Sequence, residues 1–378
     1  MISSDVVLVR YGEITLKDRW TRSNWEHILA ANISNDLRLA GLDYRITRAG
    51  GRIFVHTADP RAAGIISRIF GVVSASPAIT ARPDIAEISR LAVEVASQFS
   101  PSSFAIRPRR SSGDISSEEL GVVIGTAAVE ALGIEVDLED PDLEIFIEAR
   151  SDRAYIFTEV IKGVGGLPLG SQARMLALIS GGIDSPVAAW MMMKRGCTVS
   201  LLHFDAKPYA DAASASRRAA EALAEWTSGR KIRFIQVPMS RGIEKIASNN
   251  PRATCILCRR LMYLVASEVM RFENASGIVT GYSMGQVASQ TAENIMAEQA
   301  GIDGPIYHPL IALDKSEITD LARKIGTLQI TEETRSCTAV PDKPLTRAKL
   351  DEILALEAEL GLKELAKEIV GEMSVVRI

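Results

Sequence analysis

The most constraining feature of this 378-residue chain is an apolar run that ends in two glycines and continues as a helix. Residues 176–179 are apolar, as in a buried strand of a parallel sheet, and Gly181 and Gly182 permit the sharp turn that follows. Pro186 lies near the start of the next segment, where its missing backbone N–H costs little. A strand, a tight loop and a helix N-terminus together direct backbone N–H groups and a helix dipole at an anion. The run therefore predicts a phosphate site in an α/β domain.

Composition narrows the class of protein. Apolar residues make up 47% of the chain and charged residues 24%, as in ordinary soluble proteins, and the length suits two or three domains. No apolar run approaches the ~20 residues that span a bilayer, and the N-terminus lacks the basic start and apolar core of a signal peptide. Four cysteines do not make a disulfide framework in a chain of this size. We expect a cytoplasmic protein with no membrane partner.

The distribution of charge indicates possible nucleic-acid contacts only in short segments of the chain. The net charge of -4 does not indicate a nucleic-acid partner, and residues 77–166 carry sixteen Asp and Glu against eight Lys and Arg. Within that acidic segment, Arg107, Arg109 and Arg110 form a basic run that we predict to be flexible, and arginine forks suit phosphate. A second candidate is Lys17, in a polar loop after the first predicted strand. From the residues alone, both are also explained as solvated charges.

The first 166 residues read as two successive α/β segments. Residues 1–76 predict the order strand, helix, strand, strand, helix, strand, which is ferredoxin-like, with a hairpin turn at residues 49–51. Residues 77–166 alternate helices and strands again, and the glycine-rich residues 161–170 predict a linker. Predicted strands are 6–9, 44–47, 52–56, 72–79, 104–107, 143–149 and 154–159, and predicted helices are 24–40, 61–70, 85–98 and 118–132.

From residue 167 onward, strands alternate with helices, which predicts a parallel sheet covered by helices on both faces. In such sheets, ligands bind beyond the carboxyl ends of the strands. The 180–185 loop, the pair His203-Phe204 and Gly281 all follow predicted strands and should meet at that edge. The predicted strands are 175–179, 198–204, 232–237 and 277–280, and the predicted helices include 187–193, 211–227, 257–273 and much of 345–372.

Two more segments of this domain carry groups suited to a nucleotide. Residues 280–291 follow a strand and contain glycines and amides that suit a loop closing on a ligand. Asp314-Lys315 stands just before a predicted helix, for which Ser316 is the expected N-cap. Lys315 could place a point charge on phosphates, although a lone lysine is more often a surface residue.

Three cysteines form the remaining motif. Cys255 and Cys258 have the CxxC spacing of a redox pair, a zinc half-site or iron–sulfur ligands, and Cys337 lies far downstream. The histidines show no paired spacing with a cysteine, so a tetrahedral zinc site would lack a fourth ligand. Three thiolates on a cluster would leave one iron open. Arg259 and Arg260, next to Cys258, should favour its thiolate form.

The hexapeptide Ser-Gly-Gly-Ile-Asp-Ser at 180–185 resembles the PP-loop of ATP pyrophosphatases, which cleave ATP between its α and β phosphates to adenylate a substrate. The Gly-Lys-Ser/Thr element of a Walker loop is absent. Over nearly its full length, the chain further resembles the tRNA 4-thiouridine synthetases of the type without a C-terminal rhodanese domain. That resemblance rests on residues 12–17, 163–170, 180–187 and 285–291 and on Asp314-Lys315.

The resemblance implies an N-terminal ferredoxin-like domain (1–76), a THUMP domain (77–166, or starting near residue 60) and a PP-loop ATP pyrophosphatase domain (167–378). It implies that the first two bind tRNA, that uridine 8 is adenylated with ATP and Mg²⁺, and that sulfur then replaces the 4-oxygen to give 4-thiouridine. It also implies a homodimer, with sulfide or a cysteine desulfurase as the sulfur donor.

Site residues follow from the same resemblance. Asp184 and Lys315 match residues needed for activity, and Cys337 matches the cysteine that bears sulfur in bacterial members. There a rhodanese cysteine assists it, for which this sequence has no counterpart. Cys255 and Cys258 with Cys337 instead resemble archaeal members and related thiolases that hold an iron–sulfur cluster, here expected to be [4Fe–4S]. The expected ATP contacts are Leu178, Ile179, Ser180, Gly181, Gly182, Ser185, His203, Phe204, Arg259, Gly281 and Gln290, and the expected RNA contacts are Lys17, Arg107, Arg109 and Arg110.

Three alternatives stay open. Sulfur could pass through a persulfide on Cys337 that Cys255 or Cys258 resolves. The protein could be another PP-loop ligase that uses ammonia, although the sequence shows no glutaminase segment. It could also be a non-catalytic RNA-binding module.

Overall fold

A computed structural model describes residues 4–110, 116–286, 290–333 and 337–378 of the chain. The backbone separates into two units, Met1–Leu167 and Pro168–Ile378. The division falls inside the glycine-rich segment 161–170. In the described ranges, no helix has the length and apolar character needed to cross a membrane.

The first unit begins with elements in the predicted ferredoxin-like order, which the structure confirms. They are β1 (Val6–Tyr11), α1 (Arg19–Leu39), β2 (Arg45–Ala49), β3 (Arg52–His56), α2 (Ala62–Ser67) and β4 (Val72–Ala81). Gly50 and Gly51 have φ of 51° and 75°, the left-handed conformation that a tight hairpin turn requires. Helix α1 begins earlier than predicted because the Asp18 carboxylate accepts hydrogen bonds from two backbone N–H groups of its first turn.

The same sheet continues through the rest of the first unit. The further elements are α3 (Ile85–Phe99), β5 (Ser103–Arg110), α4 (Ser117–Leu132), β6 (Glu135–Val136), β7 (Leu143–Ala149), β8 (Ala154–Phe157) and β9 (Ile161–Lys162). The strand order is β2-β3-β1-β4-β8-β7-β5-β6, with β9 also paired to β4. Strand β4 joins the two halves because it pairs with β1 over most of its length and with β8 over residues 79–81.

The prediction of a flexible basic run after residue 106 is wrong for the part that the structure describes. Arg107, Pro108, Arg109 and Arg110 continue β5 and pair in parallel with β7. Residues 111–113 of the predicted run lie outside the described residues. A proline is tolerated here because β6 pairs only with the first two residues of β5, Ser103 and Phe104. The region of β5 around Pro108 therefore lies at the edge of the sheet.

The second unit contains the predicted parallel sheet with helices between the strands. Its elements are β10 (Gln172–Leu178), α5 (Asp184–Lys194), β11 (Cys197–Asp205), α6 (Ala213–Ala224), β12 (Arg233–Pro238), α7 (Ser240–Asn249), α8 (Thr254–Phe272), β13 (Ile278–Val279), α9 (Ala292–Gln299), β14 (Ile306–Tyr307), α10 (Lys315–Ile325), α11 (Leu350–Glu359), α12 (Leu362–Gly371) and β15 (Ser374–Arg377). The order is β14-β13-β10-β11-β12-β15, and only β15 runs antiparallel to its neighbour. The sequence did not predict β14 and β15, since such short edge strands carry little periodicity.

The core of the second unit sets the position of the strand ends. Leu176, Leu202 and Ile235, on the three neighbouring strands β10, β11 and β12, are fully buried. They belong to one apolar cluster with Leu257 and Leu261 of α8. Because this cluster packs the sheet against the helix that carries Cys255 and Cys258, it fixes the carboxyl edge of the sheet relative to that helix.

Candidate functional site

Hydrogen bonds to two serine side chains stabilise the loop between β10 and α5. The backbone N–H of Ser180 donates to Ser185 Oγ at 2.9 Å, and Gly182 N–H donates to Ser180 Oγ at 3.3 Å. Helix α5 begins at Asp184, and its N-cap residue Ile183 gives the first turn no side-chain hydrogen bond. The helix N-terminus therefore keeps backbone N–H groups available for an anion, as the sequence predicts.

Gly281 packs directly on the start of α5. A Cβ added at this position would lie 2.8 Å from the carbonyl carbon of Asp184 and 2.8 Å from the backbone nitrogen of Ser185. Only glycine permits so close an approach. The contact brings the segment after β13 against the 180–185 loop, which is where the sequence analysis expected Gly281 to lie.

Asp184 and Lys315 form an ion pair at the same helix end. Lys315 Nζ lies 2.7 Å from Asp184 Oδ1, and Gln286 Nε2 lies 3.5 Å from Asp184 Oδ2. The expected N-cap of α10 is wrong: the cap is Asp314, whose carboxylate accepts from the backbone N–H of Ser316 and of the next residue. Aspartate competes well for this position because its charge also suits the helix dipole.

His203 and Phe204 lie near the carboxyl end of β11, beside the end of β10. The backbone N–H of Ile179 donates to the carbonyl oxygen of Leu202 at 2.8 Å. His203 Nδ1 lies 3.2 Å from the carbonyl oxygen of Ile179, and its buried Nε2 has no partner in the part of the chain that the structure describes. Burial lowers the pKa of His203, so the imidazole is neutral at pH 7. Leu178 is the last residue of β10, which places these expected nucleotide contacts at one edge of the sheet.

Two further expected ATP contacts carry buried atoms that have no hydrogen-bond partner among the described residues. They are Arg259 Nη1 and Gln290 Oε1. The Arg259 guanidinium lies over the ring of Tyr282, 4.9 Å from its centroid. Buried polar atoms are nearly always hydrogen-bonded in proteins, so an unpartnered donor and an unpartnered acceptor favour a ligand here. Residues 287–289 of the predicted nucleotide loop lie outside the described residues.

The structure brings the three cysteines near one another. Cys255 and Cys258 lie three residues apart in the first turns of α8, which places them on one helix face. Cys337 is close enough to raise the pKa of both thiols through its charge. Within the described part of the chain, no group of three or more His, Cys, Asp or Glu side chains is arranged to hold a metal ion.

The prediction that Cys258 is a thiolate is wrong. Burial raises the pKa of Cys258 to about 12, and this effect exceeds the opposing effect of Arg259. Arg260 turns away from the thiol, because its guanidinium pairs with Glu357 and donates to the carbonyl oxygen of Ala297 at 2.9 Å. Cys258 is therefore protonated at neutral pH, and any bond from its sulfur to a metal or to a second sulfur requires loss of that proton.

Two of the four expected RNA contacts line a cavity of about 1320 Å³ in the first unit. They are Arg107 and Arg109, and the sequence analysis missed Arg10, which also lines this cavity. The rings of Phe146 and Phe157 on its wall stack with centroids 5.3 Å apart. In the sequence, the feature that could have indicated Arg10 was its position near the end of the first strand. The cavity therefore combines guanidinium groups with aromatic surface.

The other expected RNA contacts lie elsewhere in the first unit. Lys17 follows a short 3-10 helix (Glu13–Leu16), and its Nζ lies over the ring of Trp25, 5.2 Å from the centroid. Arg110 ends β5, and its backbone N–H donates to Ser117 Oγ at 3.1 Å. Neither residue lines the cavity.

Glu298, on α9, is a further candidate that the sequence did not predict. This carboxyl group is fully buried, and Tyr282 Oη donates a hydrogen bond to its Oε2 at 2.6 Å. Burial raises the pKa of Glu298 to about 7. No local pattern reveals such a residue, because a glutamate in a short helix is ordinarily exposed.

Three family models match successive parts of the chain. The ThiI ferredoxin-like domain matches residues 6–76, the THUMP domain matches residues 82–159, and the model described as thiamine biosynthesis protein (ThiI) matches residues 170–362. The probable tRNA sulfurtransferase of Methanosarcina mazei is 43% identical, over 99% of this chain and 96% of the relative. That of Methanothermobacter thermautotrophicus is 39% identical, over 100% of this chain and 99% of the relative.

Solved structures agree with the sequence relatives. The crystal structure of a 4-thiouridine synthetase–RNA complex with bound ATP aligns with a TM-score of 0.88 at 28% identity, covering 99% of this chain and 100% of that chain. The structure of PH1313 from Pyrococcus horikoshii aligns with a TM-score of 0.67 at 29% identity, covering 85% and 99%. Together with the near full-length relatives, these matches show that the chain belongs to the ThiI family of tRNA sulfurtransferases.

Proposed function

We propose that this protein is an ATP-dependent tRNA sulfurtransferase that converts uridine 8 of tRNA to 4-thiouridine. The observation that carries the proposal is the packing of Gly281 on the start of α5, next to the Asp184–Lys315 pair. That contact brings two loops and a lysine together, which supports a phosphate site at this position. The names of the family relatives supply the reaction class and the RNA substrate.

The first half-reaction is adenylation of the uridine. ATP binds as its magnesium complex, and uridine O4 attacks the α-phosphorus as the N3 proton is lost. Pyrophosphate leaves, and the backbone N–H groups of the 180–185 loop stabilise the charge that develops on it. Lys315 Nζ adds a positive point charge, and Asp184 holds that ammonium group at the helix end.

The second half-reaction replaces oxygen by sulfur. A sulfur nucleophile attacks C4, the C4–O bond breaks, and AMP departs with the former carbonyl oxygen. A free carbonyl oxygen is a poor leaving group, so the adenylate is what makes this substitution possible. The target base must leave its stack to reach the site, and binding of the rest of the tRNA supplies the proximity.

Cys255, Cys258 and Cys337 are the residues proposed to hold an iron–sulfur cluster of the [4Fe–4S] type. The donor set suits such a group in its chemistry, since cysteine thiolates are the usual ligands of these clusters and Cys337 acts electrostatically on the other two thiols. In the described residues the three side chains are not already arranged to hold a metal ion, so binding of a cluster requires them to move together. When bound by three cysteines, a cluster supplies an iron without a protein ligand that can carry hydrosulfide. Each thiol must lose its proton before it can bind the cluster.

A persulfide on Cys337 is the second candidate for the sulfur carrier, and the partial exposure of this residue favours it. The terminal sulfur of the persulfide attacks C4, and AMP leaves. The thiolate of Cys255 or Cys258 then attacks the Cys337 sulfur, which releases the thiouridine and leaves a disulfide. A dithiol reductant must restore the cysteines, and a protein persulfide must reload Cys337.

The cavity of the first unit is the proposed tRNA contact. The proposed contacts are Arg10, Arg107 and Arg109, because guanidinium groups suit phosphate oxygens and aromatic walls suit unstacked bases. Arg10 and Arg107 also pair with Glu148 and Glu144, so phosphate would have to compete with those carboxylates. Lys17 and Arg110 remain proposed contacts outside this cavity. We further propose a homodimer, which sedimentation equilibrium tests, and sulfide or a cysteine desulfurase as the sulfur source.

The decisive experiment is nucleoside analysis of tRNA transcripts incubated with the protein, ATP, Mg²⁺ and sulfide, with and without oxygen. We expect 4-thiouridine in the wild-type transcript and none in a transcript with cytidine at position 8. AMP and pyrophosphate formed without tRNA would favour an ammonia-using ligase instead. A complete lack of AMP formation would indicate a non-catalytic RNA-binding protein.

Chemical analysis of the purified protein distinguishes the cluster from the persulfide as the sulfur carrier. Iron and acid-labile sulfide that co-purify anaerobically, and that disappear in Cys255→Ala, support the cluster. An iron-free protein that is fully active with a cysteine desulfurase as the persulfide donor, and that forms a disulfide involving Cys337 in a single turnover, contradicts the cluster and supports the persulfide.

A further inference from the structure

Two adjacent arginines on α8 have opposite environments. Arg260 is 1% exposed, its guanidinium pairs with Glu357, and its Nη1 donates to the carbonyl oxygen of Ala297 at 2.9 Å. Arg259 forms no ion pair with a carboxylate in the described part of the chain, and its buried Nη1 has no hydrogen-bond partner. Arg260 therefore has a structural role, whereas Arg259 retains an N–H donor that a ligand can use.

One tyrosine, Tyr282, contacts both Arg259 and the buried carboxyl group of Glu298. The Arg259 guanidinium lies 4.9 Å from the centroid of the Tyr282 ring. The hydroxyl of the same tyrosine donates to Glu298 Oε2 at 2.6 Å. A direct ion pair would occupy guanidinium donors, as it does at Arg260. Arg259 instead lies over the Tyr282 ring and hydrogen-bonds with that tyrosine, while its Nη1 has no partner among the described residues.

Through Tyr282 and Arg259, these residues are linked to both parts of the candidate site, the 180–185 loop and the CxxC pair. Tyr282 follows Gly281, which packs on the start of α5, and Arg259 follows Cys258 on α8. Glu298 approaches from a third element, α9. The ring of Tyr282 is further supported by His308, which stacks on it at 5.1 Å.

We propose that Glu298 is a positioning residue for nucleotide binding, which acts by hydrogen-bonding Tyr282 so that the ring holds Arg259 with Nη1 directed at an ATP phosphate. The inference rests on the proposed function, since that function makes ATP the ligand of the 180–185 loop. The hydrogen bond does not require a charged carboxylate, because a carboxyl group accepts through an oxygen in either protonation state. An amide at position 298 should therefore replace it.

The test measures nucleotide affinity apart from turnover. Binding of α,β-methylene-ATP is measured by calorimetry, and KM and kcat for ATP are measured in tRNA-dependent AMP formation. The variants are Glu298→Ala, the conservative Glu298→Gln and Tyr282→Phe. The matched control is Glu357→Gln, which perturbs the buried carboxylate that serves the neighbouring arginine.

We expect Glu298→Ala and Tyr282→Phe to weaken analogue binding and raise KM by about tenfold, the equivalent of one well-placed hydrogen bond, with kcat changed by less than about twofold. Glu298→Gln should restore binding to within about threefold of wild type. Glu357→Gln should lower the melting temperature and leave the affinity for the analogue unchanged.

Unaltered analogue binding in both Glu298→Ala and Tyr282→Phe would overturn the inference. A loss in Glu298→Gln as large as that in Glu298→Ala would also overturn it, because the charge and not the hydrogen bond would then matter. If Glu298→Ala does not fold, Tyr282→Phe decides, since it removes a single hydroxyl and keeps the ring. A wild-type protein that binds the analogue but makes no 4-thiouridine refutes the proposed function and leaves this inference standing.

Discussion

Lys315 donates a hydrogen bond from Nζ to Asp184 Oδ1 at 2.7 Å, although 131 positions separate the two residues in the chain. Each is the first residue of its helix, so the N-termini of α5 and α10 meet at this bond. A lysine is electrostatically unfavourable at a helix N-terminus, and the Asp184 carboxylate offsets that cost. The uncapped N-terminus of α5 and the ammonium group together make this point suited to a polyphosphate. The first N–H groups of α10 already donate to Asp314.

Removal of the lysine charge should abolish adenylation without unfolding the protein. We expect Lys315→Met to reduce tRNA-dependent AMP formation at least a hundredfold, of order 3 kcal/mol of transition-state stabilisation. Because the lysine side chain is 50% exposed, the ion pair contributes only about 0–1 kcal/mol to the free energy of unfolding. The control is Lys349→Met, which breaks an exposed pair with Glu352 at 2.8 Å and should leave AMP formation intact. Equal loss in both variants would contradict this role for Lys315.

The buried carboxyl of Glu298 should make stability depend on pH in a defined direction. Its pKa rises from 4.5 to about 7 on folding, so the folded state binds the proton more tightly. The stability from this group is fully present below pH 4.5 and is lost as pH rises through 7, by about 3 kcal/mol.

Glu298→Gln removes that titration and leaves the other groups in place. The free energy of unfolding of this variant minus that of wild type should therefore increase by about 3 kcal/mol between pH 5 and pH 8. Urea denaturation of both proteins at the two pH values measures the difference. A difference that does not change with pH would show that Glu298 has an ordinary pKa.

Substitution of the cysteines should abolish the second half-reaction and leave the first intact. We expect Cys255→Ala, Cys258→Ala and Cys337→Ala to lose 4-thiouridine formation while tRNA-dependent AMP formation stays within about threefold of wild type, since none supplies a group to the phosphate chemistry. Cys197→Ala is the matched control: this cysteine is buried at the start of β11, and both reactions should survive its loss. Loss of AMP formation in the three variants would place the cysteines in the adenylation step instead.

The arginine-lined cavity should contribute electrostatically to tRNA affinity. Arg109→Ala is expected to weaken tRNA binding and to reduce the slope of log K against log salt by about one. Arg90→Ala, which breaks an exposed pair with Glu94 at 2.9 Å in the same unit, should change neither quantity. Filter binding over a range of salt concentrations gives both values, and an unchanged slope in Arg109→Ala would remove this residue from the interface.

Local patterns were sufficient for the order and type of most elements. The apolar run before Gly181, the glycines at 50 and 51 and the alternation of strands and helices each depend on neighbours in the chain, and periodicity reports such information directly. Boundaries were less accurate where a single contact decides them. Asp18 starts α1 early through its cap, and parallel pairing with β7 carries β5 through Arg110.

The sequence by itself determined the strand–loop–helix segment around Gly181, the class of sheet that carries it and the presence of a CxxC motif, because each depends on adjacent residues. Only the tertiary structure decided that Lys315 meets Asp184, that Gly281 packs on the start of α5 and that Glu298 lies buried beneath Tyr282. It also decided that Cys258 holds its proton against the arginines beside it. The physical reason is common to all four: packing selects which distant groups meet, and the burial that packing produces sets their charge.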